Sequence, residues 1–177
     1  MIKSYKSNLL DIYNKFIGEY NDDDILWYSK MSLFIYNNGV DFQKDCGIFA
    51  LMSVNTSLKF NISKFEYYQK TGLFKGLLPN KFEAIQKSKT RDEILIALNG
   101  LKIQNFFMNL YQPLDPNYVT IDRHAARACG ENKKVSPKIY KEIAHSYKEV
   151  AEELRMLPNQ LQAMVWCKYV AWLNITK

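Results

Sequence analysis

The chain has 177 residues, of which 47% are apolar, and this is enough to bury one sizeable core in a single domain. Lysine and arginine outnumber aspartate and glutamate by six, which favours a polyanionic partner, because neutralising phosphates releases counterions. The three cysteines are widely spaced and the histidines number two, which excludes a disulfide framework and leaves no ligand pattern for a metal.

Helical periodicity dominates the chain from end to end, and no alternating pattern longer than four residues predicts a strand. Capping residues stand where the periodic stretches begin, and Gly or Asn-Gly stands where several of them end. The fold class is therefore predicted to be all-α, with an irregular connection from Thr71 to Asn80. In chain order, the first predicted helix ends near Gly18, the second is capped by Asp22 to Asp24 and stops before Asn38, the third is fully buried over 46–52, and the fourth covers about 57–70. The next two are a helix over 91–98, capped by Thr90, and one that starts at about Lys102. The last three are a short helix over 122–129, one that Ser136-Pro137 opens and that reaches about Met156, and one over about 159–174.

The most informative stretch lies where two of these helices meet at Asn99-Gly100. A tight glycine turn between two short helices predicts a helix–hairpin–helix, whose backbone N–H groups can bind a phosphate. Lys102 opens the second helix, where the helix dipole already places partial positive charge. The same field favours the neutral, nucleophilic amine. Lys102 is therefore a candidate nucleophile, and the alternative is an ordinary solvated lysine.

Asp122 follows Lys102 by twenty residues and comes directly after the apolar Val119-Thr-Ile121. It can cap its own helix, and a capping carboxylate is held in one direction. A plain N-cap is the alternative, although capping and catalysis are compatible. An amine and a carboxylate that both face a phosphate-binding hairpin are the groups needed for attack at a sugar anomeric carbon.

Leu98-Asn-Gly-Leu-Lys102, followed by Val119-Thr-Ile-Asp-Arg-His124, resembles the helix–hairpin–helix DNA glycosylase superfamily of base-excision repair. This superfamily includes the endonuclease III and 8-oxoguanine DNA glycosylase families. The resemblance implies that Lys102 is the nucleophile of the bifunctional members, that Asp122 is their catalytic aspartate and that His124 lies near the DNA backbone. The hairpin is shorter than the family's, without its proline and second glycine. No cysteine cluster follows Asp122, so the chain resembles short members that lack an iron–sulfur cluster.

A second stretch, residues 48–65, resembles the early helix-turn-helix of the same family, where a polar side chain enters the gap left by a flipped base. Asn55 falls at that position, and the alternative is that it only caps the following helix. The resemblance covers roughly residues 45 to 130. It implies a single domain with two helical lobes, about 42–117 and 1–41 with 118–177, a DNA groove between them, and the active site at its mouth.

Further site residues follow from the resemblance and from what a flipped base requires, which is a stacking surface and polar edge readers. Phe106 lies one turn after Lys102, at a position that borders the base pocket in the resembling family. Gln162 and Trp166 on the last helix are weaker pocket candidates. Each of the three can equally be an ordinary core residue. The resemblance and the charge pattern together predict DNA contacts at Asn55, Gly100, Arg123, His124 and Arg127, with Lys87, Lys89 and Arg91 as further basic neighbours. The alternative is that these basic side chains form a scattered, solvated face.

The resemblance implies a DNA glycosylase with AP lyase activity, an enzyme that acts on double-stranded DNA without a metal or cofactor. In this hypothesis a nucleotide flips out of the duplex and Asn55 helps to fill the space. Asp122 stabilises the cationic sugar, and Lys102 attacks the anomeric carbon to give a Schiff base, after which β-elimination nicks the strand.

Two alternatives stay open, since an A- and T-rich coding sequence would also make lysine abundant. The chain can be a non-catalytic DNA-binding or partner-binding module in which Lys102 is only a phosphate contact, or a structural protein without a nucleic-acid role. No protein partner is implied. No apolar run approaches the roughly 18 residues of a membrane span, and the first residues lack a signal-peptide core, so a soluble, cytoplasmic protein is expected.

Overall fold

The computed structural model describes residues 4–175, which form eleven α-helices and no strand, so the prediction of an all-α protein is confirmed. None of the helices in this range is both long and apolar enough to cross a membrane. The helices are α1 (Tyr5–Lys15), α2 (Asp22–Ile25), α3 (Trp27–Asn38), α4 (Phe42–Met52), α5 (Leu58–Thr71), α6 (Pro79–Lys87), α7 (Arg91–Leu98), α8 (Leu101–Tyr111), α9 (Arg123–Ala128), α10 (Pro137–Glu153) and α11 (Pro158–Ile175).

Side-chain caps explain where many of these helices begin. In each case a short polar side chain accepts a hydrogen bond from the backbone N–H three residues later. This N–H group lies in the first turn of the helix, where no carbonyl of the helix can accept from it. The predicted caps at Thr90 and Ser136 are confirmed, and Ser57 caps α5 as the polar turn before it indicated. Ser4 and Asp41 cap α1 and α4 in the same way.

The second predicted helix is wrong in its details, because the structure contains two helices in its place. Asn21, rather than the aspartates that follow it, caps α2 by accepting from the backbone N–H of Asp24 at 3.0 Å. The Asp24 carboxylate accepts in return from the backbone N–H of Asn21 at 3.2 Å. These two reciprocal bonds form a capping box. Helix α2 is a single turn long, and the chain turns at Leu26 before α3 begins.

Helix α6 was not predicted, since its first residues fall at the end of the irregular connection assigned to residues 71–80. Pro79 occupies its first turn and no side chain caps it, so the usual polar start signal is missing. The available signals are the proline itself, whose fixed φ suits a first helical position, and Phe82 and Ile85 at helical spacing.

The described chain divides into two compact units. One, the continuous unit, consists of residues 29–111, and the other, the discontinuous unit, combines residues up to 28 with those from 112 onwards. The lobe boundaries predicted from the resemblance, about 42–117 and 1–41 with 118–177, stay a prediction.

Helix α4 forms the centre of the continuous unit, as its apolar sequence predicted. All residues from 46 to 52 are buried, and α4 packs against α5, α6, α7 and α8. The ring of Phe49 lies 5.5 Å from that of Phe65 on α5. Gly47 allows close packing, because a Cβ there would lie 2.8 Å from a methyl group of Ile94 on α7. The α7–α8 pair is therefore supported on a helix that is buried from residue 45 to its end.

The discontinuous unit is built around α10 and α11. Helix α1 packs against α10, and α11 packs against α2, α9 and α10. Leu9, Tyr147, Val150 and Val165 are completely buried and form its core. This packing supports the short helix α9, whose six residues could not form a stable helix alone.

A buried carboxylate organises the start of α4. Asp45 is 3% exposed, and its Oδ2 accepts hydrogen bonds from the backbone N–H groups of Val40 at 2.8 Å and Asp41 at 2.9 Å. Its Oδ1 accepts from the side-chain amide of Gln69 on α5 at 2.8 Å. Gly39 stands directly against this group, since a Cβ there would collide with Asp45 Oδ2. Asp45 thereby provides the acceptor for two backbone N–H groups in the turn between α3 and α4.

Replacing Asp45 with Ala should lower the free energy of unfolding by about 3 kcal/mol, because two backbone N–H groups and the Gln69 amide lose their acceptor in a buried place. Urea unfolding followed by circular dichroism measures the loss. Asp41→Ala is the matched control, since it removes one exposed capping carboxylate and should cost about 1 kcal/mol. Equal losses in the two variants would contradict the structural role of Asp45.

Candidate functional site

Asp122 is the N-cap of α9, as predicted, and both of its carboxylate oxygens accept hydrogen bonds. Oδ1 accepts from the backbone N–H of Ala125 at 2.8 Å, and Oδ2 accepts from the indole N–H of Trp166 at 3.1 Å. The two donors belong to α9 and α11. Because an aspartate otherwise rotates freely about its Cβ–Cγ bond, donors to both oxygens fix the plane of the carboxylate. The residue is partly exposed, so the oriented group stays accessible.

Tyr140 on α10 fixes the backbone that leads into Asp122. Its hydroxyl donates to the carbonyl of Val119 at 3.0 Å and accepts from the backbone N–H of Ile121 at 3.1 Å. Burial raises the pKa of Tyr140, so the hydroxyl keeps the proton that it donates. The buried segment 119–121 is thereby held in one position. The sequence analysis did not identify Tyr140, whose only signal is its place on the buried face of α10.

Gln162 and Trp166, the two weaker pocket candidates, belong to one cluster with Trp27 and Tyr28. Gln162 is 4% exposed, and its Oε1 accepts a hydrogen bond from the hydroxyl of Tyr28 at 2.6 Å. The ring centroid of Trp166 lies 6.5 Å from that of Trp27. The acceptor oxygen of Gln162 and the N–H of Trp166 are therefore both engaged within the protein, and Trp166 serves to orient Asp122.

Helix α9 also carries the basic residues predicted to contact DNA. Arg123 is exposed, and His124 and Arg127 are partly exposed. Neither arginine forms an ion pair or hydrogen bond with any other residue in the described range of 4–175. Arg123 and Arg127 are four residues apart on α9, so they lie on the same face of the helix.

The predicted hairpin is present in the continuous unit as two helices joined by Asn99 and Gly100. Asn99 has a φ of 40° and Gly100 a φ of 150°, which glycine adopts without the cost that a side chain brings. Lys81 donates from Nζ to the carbonyl of Leu98 at 2.6 Å, which satisfies an acceptor at the end of α7. Gln104 on α8 donates to the carbonyl of Leu95 at 2.8 Å. These contacts hold the two helices together at the turn.

Lys102 occupies the second position of α8, where it is exposed. The first turn of α8 contains no acidic residue, and Lys102 makes no hydrogen bond or ion pair within the part of the chain that the structure describes. Its amine is therefore available to a ligand. Phe106, one turn later, is partly buried, and its ring centroid lies 6.4 Å from that of Phe49 on α4. Phe106 thus packs on the core of the continuous unit.

Asn55 lies in the turn between α4 and α5, and it is exposed. Its φ of 54° is left-handed, a conformation that asparagine tolerates better than most residues. Ser57 caps α5, so the alternative that Asn55 is the cap of this helix is wrong. Asn55 therefore projects from a strained turn without a capping role.

The cysteines contribute packing. Cys129 is completely buried, and burial raises its pKa to about 12. Burial is also the main reason why the pKa of Cys167 is raised to about 12. A thiol with such a pKa provides almost no thiolate at neutral pH. Among the described residues, no three His, Cys, Asp or Glu side chains come together as metal ligands.

The hydrogen bond between Trp166 and Asp122 can be tested by NMR, because the chain has three tryptophans and so three indole N–H signals. Asp122→Asn should shift the signal of Trp166. An asparagine has one acceptor oxygen for the two donors, and its NH₂ group must face the other donor. Trp166→Phe assigns the signal, and the signal of Trp172 is the internal control. An unchanged Trp166 signal in Asp122→Asn would show that the hydrogen bond is absent.

Comparison with known proteins gives a family for the whole chain. Residues 1–173 match the model of a family described as "Family of unknown function (DUF7178)". No curated protein and no solved structure matches the chain. Because the family match covers nearly every residue, the chain belongs to the DUF7178 family.

Proposed function

We propose that the protein is a DNA glycosylase with AP lyase activity, and that its two compact units correspond to the two lobes of the helix–hairpin–helix DNA glycosylase fold. The observation that carries the proposal is the carboxylate of Asp122, which is partly exposed and oriented by donors to both oxygens. Release of a base leaves positive charge on the sugar. A preoriented carboxylate stabilises such a charge without reorganising during the reaction.

Lys102 supplies the amine in this proposal. Its nitrogen attacks the anomeric carbon, the bond from that carbon to the base breaks, and the base leaves with the electron pair and takes up a proton. The sugar ring opens to a Schiff base, and loss of a proton from the neighbouring carbon then eliminates the 3′ phosphate. The exposed position of Lys102 and its lack of a partner within residues 4–175 support this role.

Two features support duplex DNA as the substrate. A Cβ placed on Gly100 would meet no atom within 4 Å, so the outside of the hairpin is open to a phosphate. Asn55 is exposed on a left-handed turn and is free of capping, which suits a side chain that fills the gap left by a flipped base.

A second candidate is a DNA-binding module without catalysis. Within the described chain, Lys102, Arg123 and Arg127 form no ion pair or hydrogen bond with other residues. This observation favours a binding module as much as an enzyme, because side chains that contact phosphates must also be free of partners within the protein. Salt-dependent DNA binding without base release or strand cleavage would select this candidate.

Borohydride trapping on a duplex with one abasic site tests the lyase step directly, because an abasic site requires no knowledge of the base. The wild-type protein should form a covalent complex with the DNA, and Lys102→Gln should form none. Lys70→Gln, which removes another exposed lysine of the continuous unit, is the control and should trap normally. Equal trapping by wild type and Lys102→Gln would exclude Lys102 as the nucleophile.

Asp122→Asn should slow base release by about 10²-fold or more, because the carboxylate that stabilises the sugar cation loses its charge. Single-turnover assays on duplexes that each carry one damaged or modified base provide the rate. Asp92→Asn, an exposed aspartate on α7, is the charge-matched control. A rate for Asp122→Asn equal to that of the control, with both variants shown to be folded by circular dichroism, would remove Asp122 from the reaction.

A further inference from the structure

The positive charge of the chain is concentrated in one segment. Residues 123–141, here called the basic segment, hold six lysines and arginines and only one acidic residue, Glu131. Their net charge of +5 compares with +6 for all 177 residues, so the remaining 158 residues are close to neutral. The segment consists of α9, the connection to α10 and the first turns of α10. From this distribution and the contacts below, we propose that the basic segment is a surface that binds the phosphate backbone of a nucleic acid.

Within the described chain, none of the six basic side chains forms an ion pair or a hydrogen bond, although the charge of Lys133 interacts with the carboxylate of Glu131. Elsewhere in the described chain some lysines do form ion pairs: Lys6 lies 2.7 Å from Glu153, and Lys168 lies 2.9 Å from Asp24. The single acid of the segment is also engaged, since Glu131 accepts from the hydroxyl of Tyr5 at 2.9 Å and from the backbone N–H of Lys133 at 2.8 Å. Apart from the interaction between Lys133 and Glu131, the six basic charges are therefore without an acidic partner in the described chain. The six residues are Arg123, Arg127, Lys133, Lys134, Lys138 and Lys141.

The segment is anchored at several points, so its charges are carried on a fixed backbone. The amide of Asn8 on α1 donates to the carbonyl of Cys129 at 2.8 Å, at the end of α9. Tyr140 binds the backbone of Val119 and Ile121, and it stands between Lys138 and Lys141. The start of α10 is therefore anchored to the segment that leads into α9.

Lys138 and Lys141 are three residues apart and share one face of α10. The first turn of α10 contains Lys138 and no acidic residue. A lysine there faces the positive end of the helix dipole and lowers local stability slightly. An anion bound beside α10 reverses that effect, because it interacts favourably with both the dipole and the lysine.

Phosphate backbone fits this surface better than a membrane or an acidic protein. Surfaces that bind membranes or proteins bury apolar side chains alongside their basic ones. The large apolar side chains that the described chain exposes, such as Val40, Phe60 and Leu114, all lie outside the basic segment. Contacts to phosphates need only cations and N–H groups, which is what the segment offers. The proposal extends the proposed function to a surface beyond Asp122 and needs neither Asp122 nor Lys102.

The test measures binding of a fluorescent, undamaged DNA duplex by anisotropy at several salt concentrations. The triple variant Lys133→Gln, Lys134→Gln and Lys138→Gln is compared with a charge-matched control, Lys30→Gln, Lys70→Gln and Lys75→Gln, whose lysines are exposed in the continuous unit. Both variants lose three charges, so a general charge effect changes both equally. The slope of log K against log salt should fall by about 2 to 3 in the first variant only, since each phosphate contact contributes about 0.9.

Each outcome of this experiment decides the proposal. Equal slopes and affinities in the two variants would overturn it, and so would a wild-type protein that binds no DNA at low salt. Binding to anionic lipid vesicles that the first variant loses, with DNA binding unchanged, would assign the surface to a membrane and overturn it as well. Loss of DNA binding in the first variant supports it even if borohydride trapping fails, so this inference and the proposed function are tested separately.

Discussion

The carboxylate of Asp122 has two oxygens, and the protein supplies one N–H donor to each. The donor from Ala125 starts α9, and the donor from Trp166 joins that start to α11. Tyr140 adds a third constraint, because it holds both backbone groups of the preceding segment that face α10. Two helices thus hold the side chain of Asp122, and a third holds the backbone that leads into it. A residue that only capped α9 would need the first of these contacts alone.

Much of the fold could be predicted from the sequence because its signals are local. A cap acts over three residues, so Thr90, Ser136 and Asp122 could each be identified from the chain around them. The burial of residues 46–52 follows from a stretch that is apolar on every side. The hairpin at Asn99-Gly100 required only a turn dipeptide between two periodic stretches.

The contacts that define the site could not be predicted, because they join residues far apart in the chain. Trp166 is 44 residues from Asp122, and Tyr140 is 19 from Ile121. Periodicity places such residues on a buried face but does not say which polar group each one meets there. On this basis Trp166 is only a weaker base-pocket candidate or a core residue, and no local signal indicates that its N–H donates to Asp122. Helix α6 was missed for a different reason, since no capping side chain marks its start.

The roles of the lysines also depend on contacts with residues far away in the chain, which local sequence does not reveal. Lys81 donates to the carbonyls that end α7, and Lys168 pairs with a buried carboxylate, so both stabilise the fold. Lys102 and the six lysines and arginines of the basic segment form no such ion pair or hydrogen bond in the described chain. Unpaired like charges held close together repel one another and reduce stability slightly. A ligand that brings negative charge removes this cost, so the same feature that weakens the free protein strengthens its attraction for a polyanion.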